Sequence, residues 1–475
     1  MKWNKITLLV GVCVILLGCK KDREEEPTNI PLQEEEQVQP GWQWANAFRG
    51  PSEEDEIDAV AADNQDNVYV SGKFEQTLSI EGQTEVLTSK GMADIMVVKY
   101  DRAGELQWTL QFGGPGEDNI FDADCDKEGN LVLSGYFEQT VIFGNFTLSA
   151  MGGLDMVVLK INPEGEVLWA KNYGGPENDG GNELEIGEDN QIIVGAQSEG
   201  TFEGIVNTGI QDAYVLSLAP TGETNWVRAI LGQGIARAKA VEVDLAGNVY
   251  LGGDYTGPNY LEVPDTTVSF SNFGFVDAFL VSYDANGAYR WMKTWGGSGN
   301  DICKGVASTS KGEIYVVGGF QGPVEFDLET LASENDSKDL FVWKLDEMGS
   351  AVWVRHIKST ENLLGAEVAV DAQDHLLFGI GTSGSVKVQS DPVTFERFSN
   401  CAGVNCPLLL QYDPNGQVSQ TLFAPSSDDA RLGEIAIGGR FIFLDCPFTG
   451  TLTLENDTLT SQNNSKDAAI IGVIL

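Results

Sequence analysis

The chain has 475 residues, of which 71 are Asp or Glu and 29 are Lys or Arg, so its net charge is −42. This acidity disfavours binding to nucleic-acid phosphates and direct docking on anionic lipid. The 55 glycines and 16 prolines fit many turns and few disordered stretches. No segment stands out with helical periodicity, so the composition and pattern favour an all-β protein.

Residues 1–18 have the features of a lipoprotein signal peptide. Lys2 and Lys5 flank the start of an apolar run that is too short to span a bilayer securely. The run ends in Leu16-Leu-Gly-Cys19, which resembles a lipobox and implies cleavage before Cys19 and lipidation of its thiol. Residues 19–40 are rich in Glu and Gln and are predicted to be a disordered acidic tether.

The charged segment 20–26 resembles the short signals that send lipoproteins to the outer surface of Bacteroidota-type bacteria. The expected location is therefore the outer membrane, with the protein facing the cell surface. A simple solvated spacer on a periplasm-facing lipoprotein is the alternative that the sequence leaves open.

Residues 41–475 contain a repeat whose copies are 57 to 67 residues apart. Each copy has four apolar runs that alternate with turns, as expected for a four-stranded propeller blade. The turns have Asp or Asn at the first position and Gly at the fourth, as in Asp101 to Gly104, which suits a hairpin turn. One position of the repeat is Trp, for which interblade packing is predicted, at Trp44, Trp108, Trp169, Trp226, Trp291 and Trp353.

The two ends of the repeat region are complementary. The first copy begins at the tryptophan strand, and the last copy stops after the strand that should precede it. The sequence therefore predicts a seven-bladed β-propeller of four-stranded blades, in which the N-terminal strand completes the last C-terminal blade.

The repeat resembles the bacterial SBBP (seven-bladed beta-propeller) family. The resemblance rests on motifs such as Phe112 with Gly113 and Gly114, Gly129 with Asn130, and residues 155–160 and 165–169. It covers about residues 42–475 and implies the propeller fold. It implies no activity and no catalytic residues.

Five cysteines follow Cys19, namely Cys125, Cys303, Cys401, Cys406 and Cys446. Their odd number leaves at least one unpaired in the monomer. A Cys401–Cys406 disulfide would suit an oxidising compartment, whereas Cys125 fits a small core residue.

Three aspartates, Asp122, Asp124 and Asp126, alternate ahead of Gly129 and resemble the start of a calcium-binding loop. The glycine comes two residues late and the closing glutamate is absent, so ordinary turn chemistry is favoured over a calcium site. No other cofactor is expected.

The segments that join the second and third strands of a blade vary most, and residues 256–276 form the longest of them. Their aromatic residues Tyr260, Phe270 and Phe273 are candidates for binding a glycan or peptide, although they could instead cover a sheet edge.

No catalytic constellation is evident, since the two histidines, His356 and His375, have no metal-type partners and no nucleophile motif is present. The predicted function is a lipid-anchored module that binds a protein or glycan at the cell envelope. The alternatives are a periplasm-facing assembly scaffold and a carboxylate-dependent, polysaccharide-active enzyme. Clustered inward acids with a raised pKa would favour the enzyme.

Overall fold

The protein is described here by a computed structural model. It describes residues 41–474 apart from 53–54, 208, 264–265, 334–336, 360–363, 383–384, 391–394, 399–404, 425, 439–440, 455–457 and 462–466. The described residues fall within one compact unit, Pro40–Leu475, made of strands and turns. They include no helix long and apolar enough to cross a membrane.

The strands in the first half of the unit are β1 Gly41–Arg49, β2 Glu56–Ala62, β3 Val68–Ile80, β4 Leu87–Tyr100, β5 Leu106–Phe112, β6 Asp118–Cys125, β7 Leu131–Phe143, β8 Phe146–Ile161, β9 Val167–Tyr173, β10 Asp179–Ile186, β11 Ile192–Ser198, β12 Thr201–Phe202, β13 Ile205–Val206, β14 Asp212–Leu218, β15 Thr224–Gly232, β16 Ala236–Val243, β17 Val249–Tyr255, β18 Pro258–Val263 and β19 Thr266–Ser271. The remaining strands are β20 Asp277–Tyr283, β21 Tyr289–Trp295, β22 Ile302–Ser308, β23 Ile314–Phe320, β24 Pro323–Phe326, β25 Glu329–Ala332, β26 Asp339–Leu345, β27 Ala351–Ser359, β28 Leu364–Val370, β29 Leu376–Thr382, β30 Val386–Gln389, β31 Phe395–Phe398, β32 Cys406–Tyr412, β33 Val418–Phe423, β34 Ile435–Ile437, β35 Ile442–Phe448, β36 Thr451–Thr453, β37 Thr458–Thr460 and β38 Asp467–Ile474.

Most of these strands belong to sets of four that pair antiparallel in the same order. Within the described residues the sets are set 1 (β2, β3, β4, β5), set 2 (β6, β7, β8, β9), set 3 (β10, β11, β14, β15), set 4 (β16, β17, β20, β21), set 5 (β22, β23, β26, β27), set 6 (β28, β29, β32, β33) and set 7 (β34, β35, β38, β1). In set 7, strand β1 lies antiparallel to β38, with Gly41 opposite Ile474 and Phe48 opposite Ala468. This all-β, propeller-like arrangement agrees with the all-β propeller class that the sequence predicts.

The central strands are buried on both faces because neighbouring sets cover them. Every residue of β20, β26 and β32 is buried, and clusters of Val, Leu, Ile, Phe and Tyr fill the space between one set and the next. Such continuous apolar strands are typical of sheets that are covered on both sides.

The segments that join the second and third strands are themselves β-hairpins. In sets 1 and 2 they extend the strands, while in later sets they form pairs such as β18–β19 and β24–β25. Three of the hairpins add to the fourth strand of the preceding set, as where Leu231 lies opposite Tyr260. These backbone hydrogen bonds cover an edge that would otherwise be open.

The turns between strands follow the pattern read from the sequence. In the turn at Asp101, the Gly104 amide donates to the Asp101 carbonyl at 2.9 Å, and Gly104 has a φ of 79°. The Asp101 side chain accepts the amides of Ala103 and Glu105. Aspartate caps the turn, and glycine supplies the positive φ that closes it.

Each of the six repeat tryptophans contacts the turn of the following set. The indole Nε1 donates to a backbone carbonyl there at 3.0 to 3.2 Å, pairing Trp44 with Arg102, Trp108 with Pro163, Trp169 with Pro220, Trp226 with Ala285, Trp291 with Glu347 and Trp353 with Pro414. The indole ring lies against the glycine of the same turn, and at Gly287 an added Cβ would be 2.7 Å from Trp226 Cδ2. We call this arrangement the tryptophan–turn contact.

Cys406 is disulfide-bonded, whereas Cys125, Cys303 and Cys446 are not in disulfides. The partner of Cys406 is therefore outside the described residues. The partner that the sequence suggests, Cys401, is also outside them.

The tryptophan–turn contact predicts different costs for alanine at two glycines with the same φ of 75°, Gly287 and Gly312. The Cβ in Gly287→Ala would press on Trp226, whereas in Gly312→Ala its nearest neighbour is Glu347 Cβ at 3.9 Å. We expect Gly287→Ala to lower the free energy of unfolding by about 1 kcal/mol more than Gly312→Ala does. Urea unfolding of both variants measures the difference, and equal losses would contradict the proposed role of the contact.

Candidate functional site

A pocket of about 560 Å³ lies beside the β18–β19 hairpin. Its wall combines aromatic rings with uncharged hydrogen-bonding groups, and it is lined by Gly232, Gln233, Pro258, Asn259, Tyr260, Ser269, Phe270 and Ser271. We call it the hairpin pocket. In a chain with a net charge of −42, a pocket lined by no charged side chain is a local exception.

Backbone pairing and ring packing position the aromatic side chains of the hairpin pocket. Tyr260 lies opposite Leu231 of β15, which fixes the hairpin against set 3. The Phe270 ring meets the buried Tyr255 ring edge-on, with centroids 4.9 Å apart. Both Tyr260 and Phe270 remain half-buried, so part of each ring faces the pocket.

Asn259 is the most buried polar group of the pocket wall, with an exposed fraction of 3%. Its Nδ2 donates to the carbonyls of Thr256 and Gly257 at 3.1 and 2.9 Å. Its Oδ1 has no hydrogen-bond partner among the described residues. A buried acceptor without a partner is costly, so this oxygen would gain from a donor.

Phe273 is placed differently from the other two predicted ligand-binding residues. It is 67% exposed and is not part of the pocket wall. Its amide donates to the Asp277 carboxylate, and the nearby Phe275 is 73% exposed. The structure therefore brings Tyr260 and Phe270 together and leaves Phe273 on open surface beyond β19.

A second cavity, of about 280 Å³, is lined by the first strand of every set. We call it the central cavity. Its wall includes the side chains of six acids, namely Asp122, Asp124, Glu183, Glu185, Glu242 and Glu434. At one equivalent position in the strand pairing, sets 2, 3 and 4 have Asp124, Glu185 and Glu242. The other four sets have alanine there, namely Ala61, Ala307, Ala369 and Ala436.

Most of these carboxylates are bonded to the backbone of the next set. Asp124 accepts the Ile186 amide at 2.9 Å, and Glu242 accepts hydrogen bonds from the Ser308 amide and hydroxyl. Glu185 accepts none from the described residues. These bonds join the first strands of neighbouring sets, so the acids first of all stabilise the wall of the cavity.

The carboxylates of the central cavity are hard to ionise together. Loss of contact with bulk water raises the pKa of Asp124 to about 7 and that of Glu242 to about 8, and neighbouring carboxylates add to the effect. The same causes raise the pKa of Glu185 well above its usual value. The side chains are partly accessible, but only from inside the cavity. Because the surrounding protein keeps them from bulk water, the neutral form of each carboxyl group is favoured.

The structure separates the three aspartates of the predicted calcium loop. Asp122 and Asp124 bond to the Leu184 and Ile186 amides, whereas Asp126 lies in the following turn. Asp126 is 2.6 Å from Lys160 Nζ, which with Asn130 holds the pKa of Asp126 below its usual value despite burial. No group of three metal-binding side chains occurs in the described part of the chain. Calcium binding stays a prediction.

Asp124, Glu185 and Glu242 form a cluster of inward acids with raised pKa values, the feature expected of the enzyme alternative. Asp124 and Glu242 already accept backbone hydrogen bonds, whereas Glu185 accepts none from the described residues. His356 is buried and bonded to Asp339 at 2.8 Å, so it is not available as a partner for the cluster. Sequence reasoning missed Glu185 and Glu242, although superposing the repeats on Asp124 would have found them.

No protein-family model matches the chain. An uncharacterized WD repeat-containing protein of Acanthamoeba polyphaga mimivirus is 22% identical over 458 residues, which cover 80% of this chain and 31% of that protein. The regulatory protein FlaEY of Caulobacter vibrioides is 26% identical over 258 residues, which cover 48% of this chain and 26% of that protein. The match therefore spans about a third or less of either relative.

Among solved structures, the WD40 domain of Neurospora crassa Pan2 is similar with a TM-score of 0.44 and 11% identity, covering 88% of this chain and 89% of that domain. The WD-repeat relative and the strand topology agree on the class. The chain is an all-β repeat protein with a β-propeller-like fold.

The raised carboxyl pKa values predict that the protein is less stable at alkaline pH. Asp124 and Glu242 bind protons more tightly in the folded state than in the unfolded state. Their contribution to the free energy of unfolding is therefore largest below their unfolded pKa values and is lost as the pH rises through their folded pKa values. The free energy of unfolding should fall as the pH rises from about 5 to about 8. Urea titrations across this range measure the slope.

Glu242→Gln keeps an acceptor for Ser308 and removes the charge, so it should raise stability more near pH 8 than near pH 5 and flatten the slope. Glu105→Gln, at an exposed turn, is the matched control and should leave the slope unchanged. A wild-type slope that Glu242→Gln does not alter would contradict the assignment.

Proposed function

We propose that the protein is a lipid-anchored binding module of the cell envelope, which captures a glycan or protein on its hairpin surface. The observation that carries the proposal is the hairpin pocket, an uncharged aromatic and amide-lined cavity in a strongly acidic chain. Aromatic rings with a few hydrogen-bonding groups are the usual lining of ligand pockets. The half-exposed Tyr260 and Phe270 and the unpartnered Asn259 oxygen suit a neutral sugar.

The scaffold of this module is proposed to be a seven-bladed propeller in which each set is one blade. Two observations support closure: β1 pairs with β38 in set 7, and the first strands of all sets line the central cavity. Closure protects strand edges and ties the ends of the chain together.

Amide exchange in β1 as slow as in β20 is expected, and fast exchange in β1 would count against closure.

The lipid anchor is proposed at Cys19, and the location at the outer membrane of a Bacteroidota-like bacterium, facing the cell surface. Support comes from the lipobox, the acidic tether and the disulfide at Cys406, since disulfides persist in oxidising compartments. A periplasm-facing scaffold would share these features. Protease treatment of intact cells distinguishes the two, because only a surface protein is cleaved.

Binding is favoured over catalysis because of what the carboxylates of the central cavity already do. Asp124 and Glu242 hold the first strands of adjacent sets together, and of the three acids at this position only Glu185 accepts no hydrogen bond from the described residues. General acid–base chemistry on a glycosidic bond uses a pair of carboxyl groups on either side of it.

The hairpin pocket predicts a difference between two aromatic substitutions on the same segment. Tyr260→Ala removes a ring from the pocket wall and should weaken glycan or protein binding about tenfold. Phe273→Ala removes an exposed ring outside the wall and should change affinity little. A screen of glycans and envelope proteins against the full chain, followed by titration of any hit, tests both. Loss with Phe273→Ala and not with Tyr260→Ala would move the site off the pocket.

The anchor predicts that Cys19→Ser abolishes labelling of the protein by radioactive palmitate and releases it from the membrane fraction. Cys13→Ser lies within the signal peptide and provides the matched control, with labelling retained. Labelled, membrane-bound Cys19→Ser protein would refute lipidation at this cysteine.

A further inference from the structure

The first strand of several sets has a β-bulge at the same place, near its start. The pairing register shifts between Ile57 and Ala59 in set 1, and sets 2 to 5 shift at the corresponding residues. The inserted residues are Asp58, Phe121, Asn182, Lys239 and Lys304. All are half-buried, and bulges commonly redirect a side chain near functional sites.

Four of these residues follow one another in sets 2 to 5, whose first strands pack together in sequence. We call Phe121, Asn182, Lys239 and Lys304 the bulge row. Asn182 Nδ2 reaches the Ala238 carbonyl of the next first strand at 3.1 Å, so the inserted side chains lie where neighbouring sets meet. Phe121 packs against Tyr136, with ring centroids 5.4 Å apart. The row offers in turn an aromatic ring, an amide and two ammonium groups.

Among the described residues, charges of both signs lie near the lysine end of the row, and carboxylates such as Glu117 and Asp58 lie near Tyr136 at its aromatic end. Arg237 and Lys338 lie close by, while Asp254 and Glu183 are the acids that face Lys239. Arg237 Nη1 is 3.4 Å from Asp254 Oδ2, so part of that carboxylate's charge is already balanced.

Lys239 itself makes no hydrogen bond or ion pair with the described residues. Burial, and then the neighbouring Lys304, lower the pKa of Lys239. Lys239 and Lys304 occupy the same bulge position on first strands that pack together, which suits contact of both ammonium groups with one anion.

We propose that the bulge row binds an acidic glycan, with Lys239 and Lys304 on its carboxylate or sulfate groups. Lysine ammonium groups suit such anions as mobile point charges with three donors each. The Asn182 amide can bond to sugar hydroxyls, and the ring of Phe121 offers an apolar face to a sugar. This ring and amide favour a glycan over an acidic peptide, which the lysines alone would also attract. The site is separate from the hairpin pocket and does not depend on it.

The test uses the full chain, purified in detergent, and three probes: a galacturonate tetramer, its methyl-esterified form and tetraglutamate. Calorimetric titration should show saturable binding of the galacturonate tetramer that weakens as ionic strength rises. The methyl ester, which lacks the charge, should bind at least about tenfold more weakly. Equal affinity for tetramer and ester, or no saturable binding, would overturn the proposal. Equal or tighter binding of tetraglutamate would overturn the assignment to a glycan.

Charge-matched variants locate the site. The double variant Lys239→Gln with Lys304→Gln should lower affinity for the galacturonate tetramer by about tenfold or more. The control, Lys127→Gln with Lys311→Gln, removes the same charge from exposed turns at the other end of the first strands. It should change the affinity for the galacturonate tetramer less than about twofold. Similar losses in both would mean that only net charge matters and would overturn the site.

Urea unfolding checks that the Gln variant is folded. If the Gln variant is unfolded, Lys239→Arg with Lys304→Arg takes its place, because it keeps both charges and should retain binding. Loss of binding by the folded Arg variant would count against the site. A Tyr260→Ala chain that still binds the tetramer would show that this site stands whether or not the hairpin pocket does.

Discussion

The tryptophan–turn contact is the interaction on which the repeat arrangement depends. Each indole donates a hydrogen bond to the turn of the next set and covers its glycine, which has no Cβ to obstruct the ring. The two halves of the contact lie in different repeats, the tryptophan in one set and the turn in the next. A repeat therefore buries its tryptophan only when the next one is in place, as expected for architectures in which neighbours complete each other's core.

Other contacts between sets follow the same principle. Carboxylates such as Asp124 bond to the first strand of the next set, and the β18–β19 hairpin extends the fourth strand of the preceding one. Because the scaffold is held by features that recur, the positions where one set differs from the others become informative. The β18–β19 hairpin carries the hairpin pocket, and two adjacent bulges carry lysines where set 1 has Asp58.

Charge is distributed unevenly despite the large negative total. The hairpin pocket is neutral, the central cavity concentrates acids on sets 2, 3 and 4, and the bulge row ends in two lysines. Burial, and then the neighbouring acids, raise the pKa of Glu185, while burial, and then Lys304, lower the pKa of Lys239. The neutral pocket and the cationic row are therefore suited to different ligands.

The sequence alone determined the all-β class, the four-strand repeat, the Asp-to-Gly turns and the repeat tryptophans, because these are local patterns that recur. It also predicted Tyr260 and Phe270 as ligand-binding candidates, since aromatic residues stand out in a long variable segment, and both line the hairpin pocket. Their role in binding stays a prediction. Only the tertiary structure decided that this segment is a hairpin, that Phe273 lies outside the pocket, and that Asp124, Glu185 and Glu242 share one cavity. It alone placed Lys239 beside Lys304. The physical reason is that pairing register, bulges and contacts between sets depend on residues some sixty positions away, and local periodicity does not report them.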